Sequence, residues 1–285
     1  MLTAYILSLP RSGSTVLTSI LDRRDGVVCM PESAFPQVLG VITEKERQDK
    51  RWMAALYVAS SFSGTLLTVD EAESCMVGDN GEILSRLGYA MAEKTSRPAA
   101  SVRLVVWKTT RMVSNLKGPL STGGRFIVLR RHPHNVYDSQ FRVPFGVNNR
   151  RPWRFALFRA SYEAAFRAIP AGLRYDLEYE DIPQRMEEML SFVGFADQGE
   201  WTSGGSSFDG VVESRPWHSE IRAGFQSTDA RKREAVPAGT AAMLDRMEGL
   251  MKIAGPVMPL LRHRFDQRNY EDIRSRARLL MADHC

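Results

Sequence analysis

Apolar positions along this chain fall into two patterns, short solid runs and longer stretches at helical spacing. Tyr5 to Leu9 is the first solid run, with four apolar residues among five, and it predicts a buried strand. Val27 to Cys29, Ser101 to Trp107, Arg125 to Leu129 and Arg174 to Tyr179 predict four more strands, Ser101 to Trp107 being a good central one because it is apolar and β-branched. Between the runs the period changes. Val16, Leu17, Ile20 and Leu21 predict one helix, and residues 44–63 another. Residues 81–97 read as a helix with Ile83, Leu84, Leu87 and Met91 on one face, capped by Asp79 or Asn80. A short helix begins near Leu116, and further helices cover Asn135 to Phe141, Trp153 to Ile169, Asp181 to Gly194, 240–255 and 259–282. Strand alternating with helix predicts an α/β fold: a parallel sheet with helices on both faces, a helical insertion at about 34–97, and closing C-terminal helices.

Composition adds limits to that picture. A chain of 285 residues, 44% hydrophobic and 25% charged, suits a single domain over 1–285 with a sizeable core. Cys29, Cys75 and Cys285 are odd in number and scattered, which predicts neither a disulfide framework nor a metal site and points to a reducing cytoplasm. The first strand starts almost at Met1, leaving no room for a signal peptide, and no apolar run is long enough to cross a bilayer. Residues 197–236 are rich in Gly, Ser and charge, the composition of a mobile loop. Charge is concentrated: Arg125 to Arg159 holds eight arginines against one acid, Asp138, within a chain of net charge +5. Such concentration favours a specific anionic ligand over general nucleic-acid binding.

The chemistry gathers where predicted strands end. After the first strand comes Pro10-Arg11-Ser12-Gly13-Ser14-Thr15. Pro10 cannot continue a ladder, Gly13 permits a tight turn, and Ser14 or Thr15 is expected to cap the helix that follows. Strand, turn and helix N-terminus make an anion site, to which Arg11 adds a permanent charge. A nucleoside triphosphate loop would need Gly-x-x-x-x-Gly-Lys-Ser/Thr, and this loop lacks the Gly-Lys pair. Glu32 follows Pro31 just past the second strand, and Lys108-Thr109-Thr110 closes the third. Carboxyl edges of open parallel sheets are where ligands bind.

Pro-Arg-Ser-Gly-Ser-Thr resembles the 5′-phosphosulfate loop of sulfotransferases that use 3′-phosphoadenosine 5′-phosphosulfate (PAPS). Arg131-His132-Pro133, with Ser139 eight residues after the arginine, resembles the same family's 3′-phosphate motif, His132 replacing its commoner aspartate. Lys108-Thr109-Thr110 resembles the lysine-bearing central strand, and Tyr179-Glu180-Asp181 a late family segment, so the resemblance spans about residues 3–195. Arginine in the first loop, with Pro-Glu after the first helix, is closer to carbohydrate, trehalose-type and tyrosylprotein sulfotransferases than to the phenol and steroid group.

The resemblance implies a P-loop-type sheet and transfer of the sulfuryl group of PAPS to an acceptor hydroxyl, of a carbohydrate or other small molecule, without a metal. Arg11, Ser12, Gly13, Ser14 and Thr15 would hold the 5′ end, Arg131 and Ser139 the 3′-phosphate, and Tyr179 would line the nucleotide site. Arg11 and Lys108 would stabilise the leaving group and Glu32 would be the base, ahead of His218; His132 and His134 lie beside the 3′-phosphate motif. Two other readings stand: a P-loop kinase or NTPase with a degenerate loop, and a non-catalytic module for anionic polymers. The implied partners are a small-molecule or glycan acceptor, not nucleic acid, and the amphipathic C-terminal helix allows a homodimer.

Overall fold

The computed structural model describes residues 1–62, 65–142, 151–195, 236–253 and 258–282. Five strands, β1 (Leu2–Ser8), β2 (Val27–Cys29), β3 (Leu104–Thr109), β4 (Arg125–Arg130) and β5 (Arg174–Glu178), form one sheet in the order β2-β3-β1-β4-β5, every pairing parallel. β1 is central. Its register against β3 sets Ile6 beside Lys108, and against β4 it sets Ser8 beside Leu129, so the carboxyl ends of three strands finish side by side.

Because side chains alternate across a strand, each of these strands feeds two cores. Tyr5, Leu7, Val105, Trp107, Phe126 and Val128 face one, while Ala4, Ile6, Val106, Ile127 and Leu129 face the other. The second core is closed by α1 (Ser14–Leu21) and α10 (Ile182–Phe192). The first is covered by α2 (Phe35–Val38), α4 (Lys50–Ser60), α5 (Val69–Cys75), α6 (Asn80–Lys94) and α9 (Pro152–Arg167). The insertion is therefore largely a sheet-covering layer: Met53, Leu56 and Tyr57 are core, and Gly88 of α6 meets Val105 so closely that a Cβ there would lie 2.4 Å from Cγ2. Cys29 and Cys75 are buried and unbridged.

The helices of 34–97 depart from expectation in two places. The stretch 44–63 is not one helix but two, α3 (Glu44–Gln48) and α4, separated at Asp49. Asp49 is extended at ψ 95° and its carboxylate accepts from the Trp52 amide, so it caps α4 instead of continuing α3. Helix α5 has few apolar positions, yet Thr68 and Glu71 form a reciprocal capping box, as do Thr43 and Glu46 before α3 and Asp79 and Glu82 at α6. The third strand also begins later than its apolar run, at Leu104, because Ala99–Ser101 is a 3₁₀ turn.

Helix α7 (Lys117–Ser121) precedes β4 and α8 (Pro133–Arg142) follows it. The chain closes with α11 (Ala238–Ile253) and α12 (Met258–Ala282). Helix α12 packs on α4 and α9, burying Met258, Arg262, Asp266, Ile273 and Ala277 along one face. The loop expected at 197–236 lies, apart from Val236, outside the described residues, as do His218 and Cys285.

Replacing Asp49 with alanine removes the α4 cap while leaving the extended backbone accessible. Urea unfolding of Asp49→Ala is expected to give a midpoint lowered by the equivalent of about 1 kcal/mol, the usual cost of a lost cap.

Candidate active site

The first loop owes its shape to two left-handed residues. Pro10 ends β1, and the Ser12 amide returns to the Leu9 carbonyl at 3.2 Å. Arg11 has φ 75° and Gly13 φ 91°. A left-handed residue followed by the right-handed Ser14 turns successive amides towards one concavity, the geometry of an anion nest. Sequence reasoning expected Ser14 or Thr15 to cap α1. Gly13 is the N-cap instead, and no side chain caps the helix, because Ser14 already has helical backbone and its hydroxyl lies inside the first turn.

Only glycine fits there. A Cβ on Gly13 would stand 2.2 Å from two ring carbons of Tyr179, a residue buried at the start of the 3₁₀ turn after β5. Tyr179 therefore backs the loop. Over the same ring, 4.3 Å from its centroid, sits the guanidinium of Arg131.

The two anion motifs, 120 residues apart in sequence, meet at this point. Arg131 Nη1 donates to the Arg11 carbonyl at 3.5 Å, a long bond, and Arg11 Nε donates to Ser139 Oγ at 3.0 Å. Gln140 Nε2 donates to the Pro10 carbonyl at 3.0 Å, so α8 is fastened to the loop from a second position. Gln140 was not singled out in the sequence; its place next to Ser139 is the one signal available.

Lys108 carries the other half of the site. It stands in β3, its side chain 3% exposed, with Nζ donating to Thr15 Oγ1 at 3.1 Å and lying 3.8 Å from Glu32 Oε2. Glu32 is anchored through its main chain, since the Phe62 amide donates to its carbonyl at 2.8 Å and the neighbouring Ser33 amide donates to the Lys108 carbonyl at 3.0 Å. Its second carboxylate oxygen, Oε1, accepts from Thr110 Oγ1 at 2.5 Å. Thr110 was quoted in the sequence without a role. Strand alternation was the signal, because a residue two after Lys108 stays on the same face.

Other residues noted in the sequence are engaged elsewhere. Arg130 pairs with Glu163 and Asp176 on the far side of β4, and burial notwithstanding, those two carboxylates push its pKa above the ordinary arginine value. His134 Nε2 lies 2.9 Å from Asp245 of α11, and His132 packs edge-on against the His134 ring. Among the described residues no cluster of His, Cys, Asp and Glu is placed to hold a metal, and no helix is long and apolar enough to cross a membrane.

The arrangement can bind an oxyanion through main-chain amides and three cations, and can take up a proton on a carboxylate held beside them.

A family model described as the sulfotransferase family matches residues 4–193, a span that runs from within β1 past β5 and includes the first loop, Glu32, Lys108, Thr110, Arg131, Ser139 and Tyr179. No functionally curated protein matches by sequence. Solved structures that resemble the chain include a sulfotransferase domain from the curacin biosynthetic pathway, at 18% identity and TM-score 0.43, covering 86% of this chain and 96% of that one. Mouse sulfotransferase SULT7A1 complexed with PAP gives 10% identity and TM-score 0.41, covering 86% and 82%. A sulfotransferase from Alicyclobacillus acidocaldarius gives 11% and 0.39, covering 87% and 95%. Likeness so distant carries no functional weight; the family match does, because it runs over two thirds of the chain and over both anion motifs. The chain belongs to the sulfotransferase family.

Proposed function

We propose that this sulfotransferase uses PAPS as donor and sulfates a hydroxyl of a carbohydrate or another small molecule, with Glu32 as the base. The observation that carries the reading is the meeting of the two anion motifs, Arg11 with Ser139 and Arg131 with the Arg11 carbonyl, beside a buried lysine and a carboxylate. The residues fit the donor: a loop that admits only glycine beneath it, a helix start without a side-chain cap, and two arginines within one loop's breadth suit a ligand with phosphate at both ends. PAPS supplies a sulfuryl group already joined to a good leaving group, adenosine 3′,5′-bisphosphate.

In this reading Gly13, Ser14 and Thr15 cradle the 5′-phosphate, with Ser12 shaping the turn, and Arg131 and Ser139 hold the 3′-phosphate. The bond between Arg11 and Ser139 joins a charged donor to a neutral acceptor. A phosphate dianion makes the stronger partner for both and displaces it. Sulfuryl transfer, like phosphoryl transfer, passes through a loose arrangement in which positioning and electrostatics dominate. Arg11 and Lys108 donate to the oxygen on which charge collects, and Thr15 keeps the Lys108 ammonium aimed. Glu32 takes the acceptor proton at Oε2, the oxygen not bonded to Thr110, which lies 3.8 Å from the Lys108 ammonium.

Two measurements test this. Adenosine 3′,5′-bisphosphate should raise the Tm more than AMP does, and Arg131→Ala should shrink that difference to nothing; equal shifts in the unmodified protein would discard the 3′-phosphate assignment. Glu32→Gln should keep the bisphosphate-induced Tm shift while kcat for sulfate transfer from labelled PAPS falls by about a hundredfold or more. An acceptor screen in which Glu32→Gln works as well as the native enzyme would leave the reaction without its proposed base.

A further inference from the structure

Beneath Glu32 lies a chain of buried polar contacts, of which only the first, from Thr110, has been used so far. Thr110 Oγ1 donates to Glu32 Oε1, and the Thr110 carbonyl accepts from the Tyr162 hydroxyl of α9, each at 2.5 Å. Tyr162 is 2% exposed, and its ring lies 4.2 Å from the guanidinium carbon of Arg262 on α12. Burial, against the opposing pull of Arg262, pushes the Tyr162 pKa above the ordinary tyrosine value, so the hydroxyl remains a proton donor throughout the neutral range. Arg262 pairs with Asp266 one turn later, through Nε at 2.9 Å and Nη2 at closer range. Asp266 in turn accepts from the Ser114 amide at 2.8 Å and from the Ser114 hydroxyl at 2.5 Å. Ser114 belongs to the same connection as Thr110, between β3 and α7.

That connection, Thr110 to Leu116, is thus held at both ends by the body's later helices. Its own backbone needs holding. Met112 has φ 52°, a left-handed conformation that costs a non-glycine residue about 1–2 kcal/mol, and Met112 is fully buried. Arg262 and Asp266 are 1% and 0% exposed, and a buried ion pair of this kind gives little net stability for its desolvation cost. A well-packed apolar pair would hold α12 as firmly. What the ionic pair does give is directionality: Asp266 Oδ2 accepts two hydrogen bonds from one residue of the loop, and Arg262 faces the ring whose hydroxyl grips Thr110.

We propose that Thr110, Tyr162 and the Arg262–Asp266 pair are positioning residues that set the orientation of the Glu32 carboxylate, and that α12 thereby completes the active site. The proposal rests on the reading of Glu32 as base. Helix α12 lies outside the span that the family match covers, so the site takes one of its supports from beyond that span. The Thr110 hydroxyl has one proton to donate, and giving it to Oε1 leaves Oε2 turned towards Lys108 and the acceptor. The Tyr162 bond fixes the Thr110 main chain from below, and Asp266 fixes it four residues further on.

The turnover measurements use four variants of the full chain: Thr110→Val, Thr110→Ser, Tyr162→Phe and the double variant Thr110→Val with Tyr162→Phe. Thr110→Val should lower kcat about ten- to a hundredfold with KM for PAPS unchanged, the loss expected for one hydrogen bond to a charged group. Thr110→Ser should restore most of it. Tyr162→Phe keeps the ring under Arg262 and should also lower kcat, and the double variant should be no worse than Thr110→Val alone, since both act on one contact. A readout independent of turnover is amide exchange in the ligand-free protein: Tyr162→Phe and Asp266→Asn should speed exchange across Thr110 to Leu116 while β1 and β4 keep their protection. Native kcat in Tyr162→Phe, or additive losses in the double variant, would overturn the relay while a dead Glu32→Gln left the base in place. Full transfer by Glu32→Gln would remove both together. If Asp266→Asn fails to fold, Ser114→Ala, which loses the hydroxyl bond to Asp266 and keeps the amide bond, replaces it in the exchange measurement.

Discussion

Lys108 is an ammonium almost wholly withdrawn from water, and a charge so placed persists only with polar partners around it. Its partners include Thr15 at the start of α1 and Glu32 beyond β2, and the carbonyl of the same residue accepts from the Ser33 amide. Satisfying that one cation therefore fixes the relative positions of the first loop, the post-β2 segment and the β3 edge. The same contacts put a hydroxyl, an ammonium and a carboxylate in a row, the set that the proposed transfer uses.

The parallel sheet makes this convergence cheap. With β1 between β3 and β4 and all strands pointing one way, whatever follows each strand arrives at one rim. Alternation then decides which side chains reach the rim on the same face, so that Lys108 and Thr110 both address Glu32 while Arg130 and Arg131, adjacent in sequence, part company. Arg130 turns to Glu163 and Asp176 and becomes part of the scaffold. Arg131 turns to Tyr179 and the first loop.

Much of this was legible in advance. Solid apolar runs marked β1 to β4, because a strand buried on both faces has no polar face to show, whereas β5 alternates, with Tyr175 and Leu177 buried between charged residues. The two motifs were legible as spacings of Arg, Gly, Ser and Pro at strand ends, and their resemblance to one family's motifs supplied the ligand that is proposed. What escaped was local competition. The apolar content of 44–63 suggested a single helix, and only the carboxylate of Asp49, bonding forwards to Trp52, broke it. Ser14 looked like a cap, yet Gly13 could take a left-handed backbone against the Tyr179 ring and moved the helix start. Helix α5 had its capping box in plain view at Thr68 and Glu71, but too few apolar residues to register as periodic.

The sequence by itself determined the strands, their alternation with helices and the chemical nature of both anion-binding segments, since these depend on residue type and on neighbours a few positions away. Only the tertiary structure decided which groups touch across long separations: Arg11 with Ser139, Tyr162 with Thr110, and Asp266 with Ser114, 152 residues apart. Those contacts arise from packing α8, α9 and α12 around a shared rim. A buried donor finds whichever acceptor the packing brings within about 3 Å, and that proximity is a property of the whole chain's arrangement.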